Sequence, residues 1–330
     1  GWLAVGLTVG MAAAQATPVH EYRLENGMKV VVKEDHRAPV MVSQVWYKVG
    51  SSYEVDGITG VSHVLEHMMF KGTDKHPAGE FSRIIAENGG NENAFTAQDY
   101  TAYFQTMEKS RLPVSLELEA DRMRNLTLPE DEFLKEAQVV MEERRMRTED
   151  NPQSLTYEQF AATAWASSPY RTPIIGWMDD LENLSVDDLQ NWYQEWYGPD
   201  NATLVVVGDV EPDEVYRQAQ KYFGPLKASG VSQPKPRREI EQRGMKRIEV
   251  KAPAELPYLL MGYKVPVART AEVSWEPYAL AVLAGILDGG TAARLESQLV
   301  RGGEIAASAG ASYDVYDRLD SLFLLSGTPA

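Results

Sequence analysis

Two hydrophobic periods alternate along the chain. Stretches that switch between apolar and polar at every residue predict strands, and stretches with apolar residues three or four apart predict helices. Tyr22 to Leu24, the turn pair Asn26-Gly27 and Met28 to Lys33 predict a hairpin. Val40 to Val49, rich in β-branched and aromatic residues, predicts a strand broken by Gly50-Ser51-Ser52. A helix is expected from Val61 to Lys71, stopped by Gly72, and a second over Phe81 to Glu87, ended by Asn88-Gly89-Gly90. Ala94 to Thr96 and Tyr100 to Met107 alternate like paired strands. Leu112 to Tyr197 is helix-rich. Within it, Pro129 opens a helix expected to run through Arg147, before Asn151-Pro152. Leu204 to Val207 predicts a short buried strand and Glu214 to Phe223 a helix.

The pattern then pauses and restarts. Residues 228–240, rich in Ser, Gly, Pro and basic residues, read as a linker. Beyond it come strands near Ile248 and over Tyr258 to Tyr263, helices near Trp275 to Leu287 and Ala292 to Val300, and strands running to Leu325. The repeated order predicts an α+β fold made of duplicated α/β sandwich units, each an antiparallel or mixed sheet flanked by helices, with the second unit truncated. The expected boundaries are 17–227 for the first unit and 241–330 for the N-terminal part of the second. Residues 1–16 carry a small apolar run, Trp2 to Ala14, and an Ala14-Gln15-Ala16 cleavage pattern. They read as a partial signal peptide, which predicts export to a bacterial periplasm or beyond. The run is too short for a transmembrane segment.

Charge and cysteine content narrow the chemistry. Lys and Arg total 32 against 48 Asp and Glu, a net charge of −16, which argues against nucleic acid as a partner. The chain has no cysteine, so disulfides and thiolate metal ligands are excluded. Any metal must be held by His, Asp or Glu.

Such a set stands on the first predicted helix. His63 and His67 are four residues apart, hence one turn above each other on one face, where two imidazoles can grip one ion. Glu66 points to the same side, within reach of a proton on a metal-bound water. Three protein ligands plus water is the open arrangement of catalytic zinc, and two imidazoles with a carboxylate suit Zn2+. The helix after Pro129 offers Glu136, Glu142 and Glu143. Glu136, Val140 and Glu143 share a stripe with Phe133, whereas Glu142 sits about 100° away. Glu143 is therefore the expected third ligand and Glu136 a supporting carboxylate.

The reversed motif His63-Val64-Leu65-Glu66-His67 resembles the signature of the pitrilysin/insulinase zinc peptidases. The likeness is to the bacterial processing-type subgroup, which is similar to the β subunit of mitochondrial processing peptidase. It extends through Gly60 to Thr73, Asn88-Gly89-Gly90 with Asn93-Ala94-Phe95-Thr96, Pro169-Tyr170, Gly176-Trp177, Tyr197 to Ala202 and Val207-Gly208-Asp209. The resemblance implies a zinc endopeptidase with one Zn2+ per chain. It implies His63, His67 and Glu143 as ligands, Glu66 as general base and Glu136 as its supporting carboxylate. Glu136 and Glu143 fit the family's Glu-x6-Glu pair, with 75 residues between His67 and Glu143. Asn93, Ala94 and Phe95 match the family's sheet edge that receives the peptide substrate as an added strand.

One departure bears on partners. The family's second unit supplies an Arg and, seven residues later, a Tyr that hold the substrate carbonyl. The corresponding positions here are Val300 and Ala307. This predicts a heterodimer in which a homologous non-zinc partner subunit carries the Arg/Tyr pair. The competing expectation is a non-catalytic scaffold or peptide-capturing subunit, but the intact motif disfavours it.

Overall fold

Asn26 and Gly27 close the first hairpin: Gly27 adopts φ +96°, and Asn26 Oδ1 accepts from the Met28 amide at 3.3 Å. The structure, a computed structural model, describes residues 18–330, so the signal-peptide expectation for residues 1–16 lies outside the described residues. Strands β1 (Val19–Arg23) and β2 (Lys29–Glu34) flank that turn, and β3 (Val40–Tyr47) follows. Alternate residues of β2 and β3, among them Val30, Val32, Met41 and Val45, are fully buried, as the period-two pattern requires.

Helices α1 (Val61–Met68) and α2 (Glu80–Glu87) precede β4 (Asn91–Thr96) and β5 (Thr101–Glu108). A helical stretch follows: α3 (Leu112–Asn125), α4 (Glu130–Arg144), α5 (Pro152–Ala164), α6 (Met178–Asn183) and α7 (Val186–Trp196). Strand β6 (Ala202–Gly208) then leads to α8 (Pro212–Phe223). The six strands form one mixed sheet in the order β1-β2-β6-β3-β5-β4. Only β2 and β6 run parallel; the other pairs are antiparallel. Val64, Leu65 and Met68 of α1 enter the same core as Val140 of α4 and Tyr103 of β5. Strand β4 ends the sheet, which leaves one of its edges unpaired among the described strands.

The second unit has β7 (Leu259–Val265), α9 (Glu276–Asp288), β8 (Ala306–Ser312) and β9 (Ser321–Pro329), with a sheet order of β7-β9-β8. The chain is thus α+β throughout, a six-stranded mixed sheet flanked by helices and a smaller antiparallel sheet.

Three local expectations differ from the structure. Residues 241–258 include no hydrogen-bonded strand, so the strand expected near Ile248 does not form. Its β-branched residues have no neighbouring strand to supply ladder bonds. Helix α4 keeps regular geometry only to Arg144. Arg145–Glu149 continue as a wider turn in which the Asp150 amide reaches back to the Arg145 carbonyl at 2.8 Å. The helix expected over Ala292 to Val300 is likewise mostly a wide turn, Glu296–Gly302.

The two units meet at a seam close to the first unit's helices. Arg318 Nε donates to Asp99 at 3.1 Å, and its guanidinium lies 4.2 Å over the Tyr53 ring. Ala161, Trp165 and Tyr170 pack there with Leu319 and Leu322. Glu239, in the connecting segment, accepts from the amides of Ala166, Ser167 and Ser168 at 2.8–2.9 Å and from Lys264 at 2.7 Å.

Candidate active site

Gly60, at φ +90°, precedes helix α1 and has no side chain with which to cap it. Glu54 takes over that role. Its two oxygens accept from the Gly60 amide at 2.8 Å and the Ser62 amide at 2.9 Å, satisfying amides at the helix start. Burial nonetheless pushes the Glu54 carboxyl up to about 7. This fixed start sets the rotation of the helix. Val61, Val64, Leu65 and Met68 turn into the core, while His63, Glu66 and His67 face a cavity of about 1010 Å³.

Helix α4 packs against α1 and brings a second row of side chains to that face. Glu143 lies between the two imidazoles, Oε1 at 3.7 Å from His63 Nε2 and Oε2 at 3.6 Å from His67 Nε2. One ligand atom from each of these three residues lies within 4.8 Å of the others. The separations are too long for direct hydrogen bonds. They approach the spacing of about 3.4 Å between ligands that each sit ~2.1 Å from a tetrahedral ion. The donor set therefore fits Zn2+.

The electrostatics favour the same use. Burial, with the charges of His67 and Arg147, pushes the His63 imidazole down to about 3, which keeps it neutral and able to bind metal. His67 Nδ1 lies 3.0 Å from Glu136 Oε2, and Glu136 Oε1 accepts from Lys71 at 2.6 Å. Burial opposes ionisation of Glu136, but Lys71 and His67 outweigh it and hold the carboxyl below its ordinary value. A carboxylate on Nδ1 fixes the ring and leaves Nε2 aimed at Glu143. Burial raises the Glu66 carboxyl, offset in part by a hydrogen bond from Thr96 Oγ1 at 2.5 Å.

Asn93, Ala94 and Phe95 also line the cavity, on the unpaired edge of β4. Glu142 is 65% exposed and pairs outward with Arg145. Sequence reasoning passed over Thr96, Lys71 and Arg147. Arg147 pairs with Glu143 one helical turn back, and that four-residue spacing was a visible signal. Thr96 reaches Glu66 from a different element and had no comparable one. Among the described residues, Tyr258 is the second unit's contribution to the cavity wall. Val300 and Ala307 do not line it.

Residues 29–177 match the model of the insulinase family, peptidase family M16, and residues 183–330 match the M16 inactive domain. The zinc protease PqqE of Helicobacter pylori is 38% identical over 333 residues, covering 99% of this chain and 74% of that protein. The chain belongs to the M16 peptidase family. A crystal structure of a protease from Helicobacter pylori superposes with a TM-score of 0.89 at 36% identity, covering 95% of this chain and 75% of that one. The first half of the periplasmic protease PqqL from Escherichia coli shares the fold, with a TM-score of 0.78 at 21% identity over 94% of this chain and 68% of that one. Membership of the M16 family supports a metallopeptidase function. No helix among the described residues is long and apolar enough to cross a membrane.

Proposed function

We propose that this chain is a zinc-dependent endopeptidase acting on short or unfolded peptides. One observation carries the reading: His63, His67 and Glu143 converge at 3.6–3.7 Å on the face of a cavity that Glu66 also enters. His63, His67 and Glu143 would hold one Zn2+ per chain. When bound, the ion supplies a Lewis acid that polarises the scissile carbonyl and acidifies a coordinated water. Glu66 accepts the proton of the attacking water and returns it to the leaving amine, and its raised pKa suits both transfers. Thr96 holds the Glu66 carboxylate in place, and Glu136 orients His67. The unpaired edge of β4 at Asn93, Ala94 and Phe95 takes the peptide as an added strand, which demands backbone more than side chains.

The organisation goes with this reading. Residues 17–227 form the catalytic domain, 228–240 the linker, and 241–330 belong to the second domain. The chain acts outside the cytoplasm, in line with the Ala14-Gln15-Ala16 pattern. Its partner is a homologous subunit that supplies the Arg/Tyr pair, because Val300 and Ala307 occupy those positions here. Peptide hydrolysis by the purified chain, measured alone and after mixing with such a partner, tests both parts. Activity confined to the mixture, and removed by Glu66→Gln, is the expected result. Full activity of the isolated chain would overturn the heterodimer. Full activity of the Glu66→Gln mixture would overturn the assignment of the base.

A further inference from the structure

The wall of the active-site cavity runs against the charge of the chain as a whole, which is −16. Outside the three expected ligands and Glu66, the charged residues lining it are Arg147, Glu158 and Arg171. Glu158 is already neutralised. Arg144 donates to its two oxygens at 2.7 and 2.9 Å, and both side chains are buried. The two arginines are held less firmly. Arg147 stands on the wide turn after α4, is 74% exposed and pairs with Glu143 Oε1. That oxygen is the one facing His63, so an ion on His63, His67 and Glu143 would compete with the guanidinium for its charge. Arg171 follows Tyr170 on a short turn and, among the described residues, gives only Nη2 to Asp56, at 2.8 and 3.0 Å. Asp56 is itself 78% exposed. An ion pair so open to water contributes little and can yield to a better-placed carboxylate. In a recessed site, uncommitted charges of one sign act together on a ligand of the other.

We propose that Arg147 and Arg171 are specificity-determining residues that select peptides bearing a carboxylate near the bond to be cleaved. This rests on the zinc-peptidase reading and names its substrate class. Arg147 touches Glu143, so it stands beside the ligand set and can meet a carboxylate close to the reacting carbonyl. Its planar guanidinium can donate two parallel hydrogen bonds to that group. The carboxylate is either an Asp or Glu side chain or the free C-terminus of a short peptide.

Fluorescence anisotropy with the zinc-loaded Glu66→Gln chain tests this. The probes are labelled, C-terminally amidated peptides that differ only in a central Glu, Gln or Lys, and the free-acid form of the Gln peptide. The Glu peptide or the free acid should bind about 10-fold tighter than the amidated Gln peptide, and the Lys peptide more weakly still. Whichever carboxylate gives the gain identifies its source. The preference should shrink in Arg147→Gln and vanish in Arg147→Gln/Arg171→Gln, with zinc content by elemental analysis unchanged in both. Equal binding of all the peptides, or a preference that survives in the double variant, overturns the proposal. Loss of zinc in Arg147→Gln would also overturn it, because Arg147 would then serve Glu143 and not the peptide. Binding of no peptide would count against the peptidase reading itself, whereas binding without a charge preference sinks this inference alone. If Glu66→Gln still turns the peptides over, the assignment of the base fails and the same comparison is read from ratios of kcat/KM.

Discussion

Glu66 and Glu136 reach the same cavity wall with different duties, and single substitutions separate them. Glu66 touches neither imidazole's ligand nitrogen, so Glu66→Gln should leave zinc content at wild-type level and lower turnover by about 10²- to 10⁴-fold. Zinc analysis beside a peptide-hydrolysis assay reads both quantities, and loss of zinc would mean that Glu66 is a ligand. Glu136→Gln removes the charge facing His67 Nδ1 and Lys71. Zinc affinity, measured by chelator competition, should fall about 10- to 100-fold. Much of this was legible in the sequence, because helical spacing alone puts His63 and His67 on one face. The same periodicity separated Glu143 from Glu142, which the structure leaves 65% exposed. Thr96 was not legible as a partner of Glu66, since they are 30 positions apart and on different elements.

At the scale of elements, the helix that carries the motif depends on how it starts. A Cβ on Gly60 would approach the Ile175 carbonyl oxygen and Leu181 Cδ2 at 2.7 Å each, and its φ of +90° disfavours any L side chain. Gly60→Ala should therefore destabilise the chain by about 1–3 kcal/mol in urea unfolding. It should also lower activity by displacing α1, whereas Gly79→Ala strains the backbone without meeting any neighbour and should cost less. The elements with a strong local period were readable: the hairpin at Asn26-Gly27, α1 and the alternating strands. What the sequence left open was pairing. Nothing local says that β2 lies parallel to β6 or that Ile248 finds no partner, because ladder bonds come from residues far away in the chain. The early end of α4 was equally hidden. Its wide turn delivers Arg147 to Glu143 with no breaking residue before Asn151.

For the whole molecule, the question is what holds the second unit against the cavity it helps to enclose. Glu239 is one polar tie: its carboxylate serves three backbone amides of residues 166–168 and Lys264. Burial opposes its ionisation, but Lys264 and the amides outweigh this and hold it at about 2, against an ordinary value of 4.5. A carboxyl depressed in the folded state binds protons less readily there than in the unfolded chain. Its stabilisation is therefore complete above pH 4.5 and is lost as the pH falls toward 2. The amides of Ala166, Ser167 and Ser168 should keep constant hydrogen-exchange protection factors from neutral pH to about 4.5, then lose protection below it. In Glu239→Gln the uncharged amide cannot match the carboxylate, so these amides should be less protected at neutral pH and show a flatter response to acid. An equally steep acid response in Glu239→Gln would place the sensitivity elsewhere. Because Tyr258 reaches the cavity from beyond this tie, the same substitution should raise KM for peptides more than it lowers kcat. Loosening the seam changes the wall against which a peptide lies and leaves His63, Glu66, His67 and Glu143, all on the first unit, in place.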